Sequence, residues 1–287
     1  MNMKYFFVGA IGLVTLLTSC SKQVEIQLPY EGDKIVVNTL IQPDSVVYVR
    51  VTRSVPSDVF DDSGYKDIPG ATVTLTEDGL PVAPMQVQEI KGLFWYVSQK
   101  KAVRGKQYAV AVAAPGLQSV TATDTLPFPP VIKNAAAQRN TNRVQFTLKD
   151  CPGTGDYYRI RIYVSDTSGE YGGFRPFRLD PAFNNNLVDF FTKSNYNSLV
   201  MTDERFDGKE VNFVLQTADP INSYSRVTVE VSTLTYNTWK YFSTVIPQKG
   251  DGGNIIIGSP VRVFTNVQNG YGIVGGINTR KLVFKVE

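Results

Sequence analysis

The residue types that carry most enzyme chemistry are scarce in this chain. Its 287 residues include no histidine and only two cysteines, Cys20 and Cys151. That removes a Ser-His-Asp triad, a Cys-His dyad and His-ligated zinc or haem. Three chemistries survive on residue type: glycoside hydrolysis by a carboxylate pair, acyl-bond cleavage by a Ser–Lys pair, and calcium binding by clustered carboxylates. The acidic clusters are Asp61-Asp62 and Asp203-Glu204 with Asp207. Neither has the spacing of an EF-hand loop, so both read as solvated loops. Gly270-Tyr271-Gly272-Ile273-Val274-Gly275 matches the G-x-G-x-x-G of dinucleotide sites. The residues after it, Gly276-Ile277-Asn278-Thr279, do not open a helix, and no βαβ unit surrounds it. Turns or bulges between strands are the expectation for these glycines. No catalytic, cofactor-binding or metal-ligating residue is assigned, and a non-enzymatic protein is expected.

A different chemistry is legible at the N-terminus. Lys4 precedes an apolar stretch of thirteen residues, Tyr5 to Leu17. That length suits the hydrophobic region of a signal peptide and is too short to span a bilayer. Leu17-Thr18-Ser19-Cys20 then follows, an apolar residue and two small ones before a thiol, which resembles the lipobox of bacterial lipoproteins. The reading is a signal peptide over 1–19 and acylation, palmitate included, at Cys20. Several acyl chains on one residue anchor far more firmly than one reversible chain. The other thiol, Cys151, lies in the turn-like Lys149-Asp150-Cys151-Pro152-Gly153 and reads as a half-buried structural residue. Lys+Arg 29 against Asp+Glu 26 leaves a net charge of +3, which provides no electrostatic case for nucleic acid.

The elements that follow are β. Residues 20–33 read as a polar tether. Runs rich in Val, Thr, Ile and Tyr then alternate with Gly, Pro, Asn and Asp. Seven strands are expected between Lys34 and Thr125, enough for a β-sandwich. Leu126-Pro127-Phe128-Pro129-Pro130 stiffens the chain and removes ladder donors, so 126–130 is taken as an exposed linker. A second sandwich is expected over 131–287. In it, Tyr158, Ile160, Ile162 and Val164 share one face of a strand at period 2. Thr235–Ile246 carries Tyr236, Trp239, Phe242 and Ile246 near one helical face and reads as a short helix, with strands at Val261–Thr265 and Thr279–Val286 after it. Between Asp166 and Gly208 lies a long insertion without clean period, holding Phe174, Phe177, Phe183, Phe190 and Phe191. Phe190 and Phe191 point to opposite sides of an extended chain, which marks this pair as a possible partner surface. The fold class is thus all-β: two Ig-like or prealbumin-like β-sandwich domains in tandem (34–125 and 131–287), with one short helix in the second.

Several of these pieces together resemble a known family. They are the lipobox, Ile68-Pro69-Gly70-Ala71-Thr72-Val73-Thr74-Leu75, the proline-rich Leu126–Pro130, Phe206-Asp207-Gly208-Lys209-Glu210, and Asn266…Asn269-Gly270-Tyr271-Gly272-Ile273-Val274-Gly275. In this order they are similar to the Bacteroidota outer-membrane lipoprotein family of the domain of unknown function 4249. The resemblance implies a lipid-anchored protein of the outer membrane, on its periplasmic or cell-surface face, that often accompanies a TonB-dependent β-barrel transporter. It carries over no catalytic residue and no cofactor. A binding or scaffolding subunit, with a small-molecule or peptide ligand, is the expected role. A fimbrillin-type adhesin is the alternative, and a carboxylate-dependent hydrolase a more remote one.

Overall fold

The computed structural model describes residues 30–56, 66–153, 155–165, 171–180, 195–221, 226–249 and 262–286. Cys20, Asp61-Asp62, Phe183, Phe190 and Phe191 lie outside the described residues. Asp33–Val55 and the described residues after Asp61 belong to one compact unit; residues 30–32 and Pro56 group apart.

Eight strands precede the prolines: β1 (Ile35–Ile41), β2 (Val46–Arg53), β3 (Thr72–Glu77), β4 (Leu80–Pro81), β5 (Gln86–Ile90), β6 (Leu93–Lys101), β7 (Gln107–Ala113) and β8 (Val120–Thr125). Their alternation works as the sequence suggests: Ile35, Val37, Thr39 and Ile41 of β1 point inward while Val36, Asn38 and Leu40 face out. Nine more follow: β9 (Val131–Ala137), β10 (Arg143–Lys149), β11 (Tyr157–Ser165), β12 (Tyr171–Phe174), β13 (Phe177–Leu179), β14 (Leu199–Thr202), β15 (Glu210–Thr217), β16 (Arg226–Leu234) and β17 (Tyr271–Lys285). Helix α1 (Tyr236–Lys249) lies between β16 and β17. The protein is all-β in layers, with a single helix among the described residues.

One nine-stranded sheet runs through both halves in the order β12-β11-β16-β17-β1-β2-β6-β5, with β14 also on β11. Two four-stranded sheets, β4-β3-β7-β8 and β13-β15-β10-β9, complete the layers. The first core is packed by Val37, Val49, Leu75, Tyr108, Val110 and their neighbours. The second is packed by Phe146, Ile160, Ile162, Phe177, Phe213 and Val229. Tyr158, Ile160, Ile162 and Val164 do share the buried face of β11.

The halves exchange chain at one place. The first part of β17 lies parallel to β1, from Val36↔Tyr271 to Ile41↔Gly276. Its second part lies antiparallel to β16, from Leu234↔Ile277 to Arg226↔Lys285. Val274 therefore belongs to the first core, and Val267 joins it beside the Thr121↔Gln268 bridge, although the prolines at 126–130 stand between them and the rest of it. The proline segment is itself docked, not free: Leu126 is buried, its N–H donates to the Lys106 carbonyl at 2.9 Å, and Asn278 Nδ2 donates to the Pro127 carbonyl at 2.8 Å.

The glycines expected in turns or bulges divide: Gly270 lies in a bend just before β17, whereas Gly272, Gly275 and Gly276 are interior to β17, where close neighbours leave no room for a side chain. A Cβ on Gly272 would sit 2.0 Å from the Val37 carbonyl oxygen, and Gly272 has φ +103°, which disfavours any side chain. A Cβ on Gly276 would sit 2.1 Å from the Thr125 carbonyl oxygen. Of the strand expected at 261–265, the described residues 262–265 are irregular, as are 266 and 267. Asn266 replaces a strand partner there. Its Nδ2 donates to the Val274 carbonyl at 2.7 Å, and its Oδ1 accepts the Val274 N–H at 3.0 Å.

The 166–208 stretch is less irregular than its pattern suggests. It holds β12, β13 and β14, strands of four, three and four residues, too short to show a period of two. Phe177 is fully buried, whereas Phe174 is 51% exposed.

Candidate functional site

The outer face of the long sheet carries a concave surface. Strand alternation puts Val36 and Asn38 of β1 and Arg50 and Thr52 of β2 on this face. Tyr241 and Val245 of α1, the 262–265 segment and Tyr271 wall it in, around about 610 Å³. Gly272 forms part of the floor. A second depression of about 340 Å³ shares Asn38 and Tyr241 and adds Leu40, Tyr48, Trp95 and Ile273. Tyr48 and Trp95 pack edge to face at 6.4 Å, and Tyr48 is 40% exposed.

Three guanidiniums line the larger depression: Arg50, Arg53 and Arg262. Arg50 pairs with Asp67 at 3.0 Å and Arg53 with Asp33 at 2.7 Å. Arg262 is exposed. Planar guanidiniums beside tyrosine and tryptophan faces suit carboxylates and flat groups, through forked hydrogen bonds and stacking. The sequence signal for this face was the alternation of Ser45–Arg53. Only the return of β17 and α1 turns it into a concavity, and that is long-range.

Helix α1 is set by its cap. Thr235 Oγ1 accepts the Thr238 N–H at 3.3 Å. Its aromatic residues do not form a core stripe as the helical spacing suggests. Tyr236 is 51% exposed, and Trp239 stacks on Tyr157 at 4.9 Å. The fully buried contact is the small Thr238, whose hydroxyl donates to the Gly276 carbonyl at 3.0 Å. Glycine on the strand lets the helix come that close. Asp124, at the end of β8, ties the junction: it accepts from the Gly276 N–H at 2.8 Å, the Thr125 N–H at 2.9 Å, the Thr235 hydroxyl and Asn237 Nδ2. Burial nevertheless raises its carboxyl above the ordinary value.

A second group of functional side chains sits at one corner of the second core. The acidic stretch is solvated only in part: Glu204 is exposed, but Asp203 is 1% exposed. Phe206 anchors it, packing against Tyr158 and Phe213 at 6.0 and 5.9 Å. This pulls Asp203 under the surface, opposite the loop from β10 to β11. There Asp150, also 1% exposed, accepts the Tyr158 hydroxyl at 2.5 Å and the Gly208 N–H at 2.8 Å. Asp207 accepts the Gly153 N–H at 2.7 Å. One carboxylate oxygen each from Asp150, Asp156 and Asp203 lies within 4.8 Å of the others. Burial and the neighbouring carboxylates push Asp156 up to about 6. Burial also raises Asp150, against the hydrogen bonds that lower it. Asp150 and Asp156 were missed from the sequence because neither looks acidic in cluster; they meet Asp203 only when β10 and β11 close over Phe206. Cys151, next to Asp150, is exposed and not half-buried, since the Pro152-Gly153 turn carries it outward.

These features define an all-β protein with two cores, an aromatic and arginine-lined outer face, and a buried carboxylate corner. No helix among the described residues is long and apolar enough to cross a membrane. The chain belongs to the family described as domain of unknown function (DUF4249), whose model matches residues 21–282. No curated protein matches it.

Proposed function

We propose that this protein is a lipid-anchored, non-catalytic binding or scaffolding subunit of the outer membrane, working beside a TonB-dependent β-barrel transporter. The observation that carries the binding reading is the paired depression on the outer face, one lined by exposed Arg262 and the other by Tyr48 and Trp95, with Asn38 and Tyr241 shared between them. Its chemistry suits a partner segment or peptide bearing carboxylates and flat side chains. Phe190 and Phe191 are kept as a second contact candidate. The adhesin alternative is disfavoured by topology. Strand exchange needs a strand that can leave, and β1 and β17 both lie inside the nine-stranded sheet with neighbours on each side.

Two measurements test this reading. Cys20→Ser removes the thiol that would be acylated, so the protein should move from the membrane pellet to the soluble fraction after a carbonate wash; persistence in the pellet would refute the anchor. Crosslinking in native outer membranes should recover a β-barrel protein with the parent chain. Arg262→Glu should lose it at an unchanged melting temperature. Recovery of no barrel protein by the parent chain would count against the transporter role.

A further inference from the structure

We propose that the corner formed by Asp150, Asp156 and Asp203 is a calcium site. Calcium–oxygen bonds of about 2.3–2.6 Å place two ligand atoms of one ion no more than about 5 Å apart, and the three carboxylates meet that limit at 4.8 Å. The independent sign of a ligand is Asp203 itself. One of its oxygens accepts the Gly155 N–H at 3.3 Å. The other, Oδ2, is buried and has no hydrogen-bond partner. Leaving a buried carboxylate oxygen bare costs far more than pairing it.

The buried carboxylates outside this corner, among the described residues, are partnered by cations or by hydrogen-bond donors, although Arg159 Nε is, like Asp203 Oδ2, a buried polar atom without a partner. Buried Glu230 has Arg161 and, at 3.3 Å, Lys281. Buried Asp180 has Arg143 at 2.9 Å. Buried Asp124 has its donors at the α1 junction. Asp150 and Asp203 are buried beside one another with no ion-paired lysine or arginine among the described residues. Among the described residues, none of these three carboxylates is held by a cationic side chain. The corner's donors are all oxygen, which suits a hard cation. They come from two irregular loops, and calcium's adaptable coordination fits these better than the strict octahedron of magnesium. An ion here would tie the β10–β11 loop to the β14–β15 loop, clamping the two layers of the second core. This holds whatever the outer face binds.

The test uses the full chain in detergent, stripped with a chelator. Titration with CaCl2 should reveal one ion per chain and raise the melting temperature. At a hundred times Kd the folded-to-unfolded ratio should rise about 100-fold. Terbium should bind in calcium's place and luminesce on tyrosine excitation, because the Tyr158 hydroxyl donates to Asp150. Asp203→Asn keeps the size of the side chain and removes the bare charge. Its calcium-free form should melt at or above the parent, and calcium should no longer shift it. Asp156→Asn, at a less buried position, should lose the shift as well, while Asp219→Asn, exposed and past the opposite end of β15, should keep it. No shift of the parent at millimolar calcium overturns the proposal. So does an equal shift by magnesium at the same concentration, or a full calcium response in both Asp203→Asn and Asp156→Asn.

Discussion

Each half of the molecule buries a tyrosine hydroxyl against a carboxylate, and the two pairs are finished differently. In the first half Tyr108 donates to Glu77 at 2.6 Å, and Lys100 completes the network at 2.7 Å. In the second Tyr158 donates to Asp150 at 2.5 Å, and the nearest charges are further carboxylates. The carboxyl is held below its ordinary value in the first case, by Lys100 and then Tyr108, and raised by burial in the second. The strands show the opposite imbalance. The second core draws every residue from Ile132 to Val286, whereas the first takes Val267 and Val274 from the far end of the chain. One half is closed in charge and open in chain; the other is closed in chain and open in charge. The first kind of debt is settled by β17, and only the second asks for something from outside.

Separating the halves should produce the largest effect. Residues 131–287, expressed alone, retain both sheets of the second core and should melt in one cooperative transition. Residues 23–125 lack the parallel neighbour of β1 and should show no cooperative transition by circular dichroism. A cooperative melt of the 23–125 piece would mean that β17 is an accessory to the first core and not part of it.

Gly276→Ala should come next. The new methyl would meet the Thr125 carbonyl oxygen at 2.1 Å, which is backbone and cannot swing aside. Overpacking of this kind costs about 1–3 kcal/mol where neighbours can yield; here the loss should reach or exceed the top of that range in chemical denaturation. Gly272→Ala adds the strain of positive φ, another ~1–3 kcal/mol. Both changes should loosen the first half more than the second, seen as earlier amide exchange in β1 and β8 than in β10 and β15. Equal loss in both halves would show that β17 couples them into one cooperative unit.

The legibility of these two regions in the sequence follows the same division. Most strands of the first half were readable because alternation is local: β1, β2, β3 and β7 show it residue by residue. The family-specific pieces were not. Gly272 and Gly276 looked like turn chemistry, since a lone sequence cannot say that the Val37 and Thr125 carbonyls will crowd them. Asp203-Glu204 with Asp207 read as a solvated acidic loop, since nothing local reveals that Phe206 is core and draws Asp203 inward. The short strands β12, β13 and β14 escaped because three or four residues cannot display a period. For the glycines and for Phe206 the missing information was a long-range contact; for the short strands it was length.

The smallest effect expected is a pH limb that belongs to the first half. Glu77 has a folded value below its ordinary 4.5, chiefly through Lys100 and then Tyr108. A lowered folded value means that the unfolded chain takes up the proton first as pH falls. The pair's contribution is therefore present above about pH 4.5 and is lost below it. Tyr108 behaves in the mirror sense: burial, then Glu77, pushes its phenol up from 10.0 to about 12. Its contribution is full below pH 10 and is lost as pH rises toward 12. Lys100 is more than half exposed, and exposed ion pairs are worth about 0.2–1 kcal/mol, so the acid limb should be shallow. Glu77→Gln should flatten it, and 1 M salt should weaken it in the parent. Urea unfolding from pH 3 to 7, on parent and variant, checks this. If Glu77→Gln leaves the acid slope unchanged, the first half's charge network is not what sets acid stability, and the contrast between the two tyrosine–carboxylate pairs would lose its thermodynamic half.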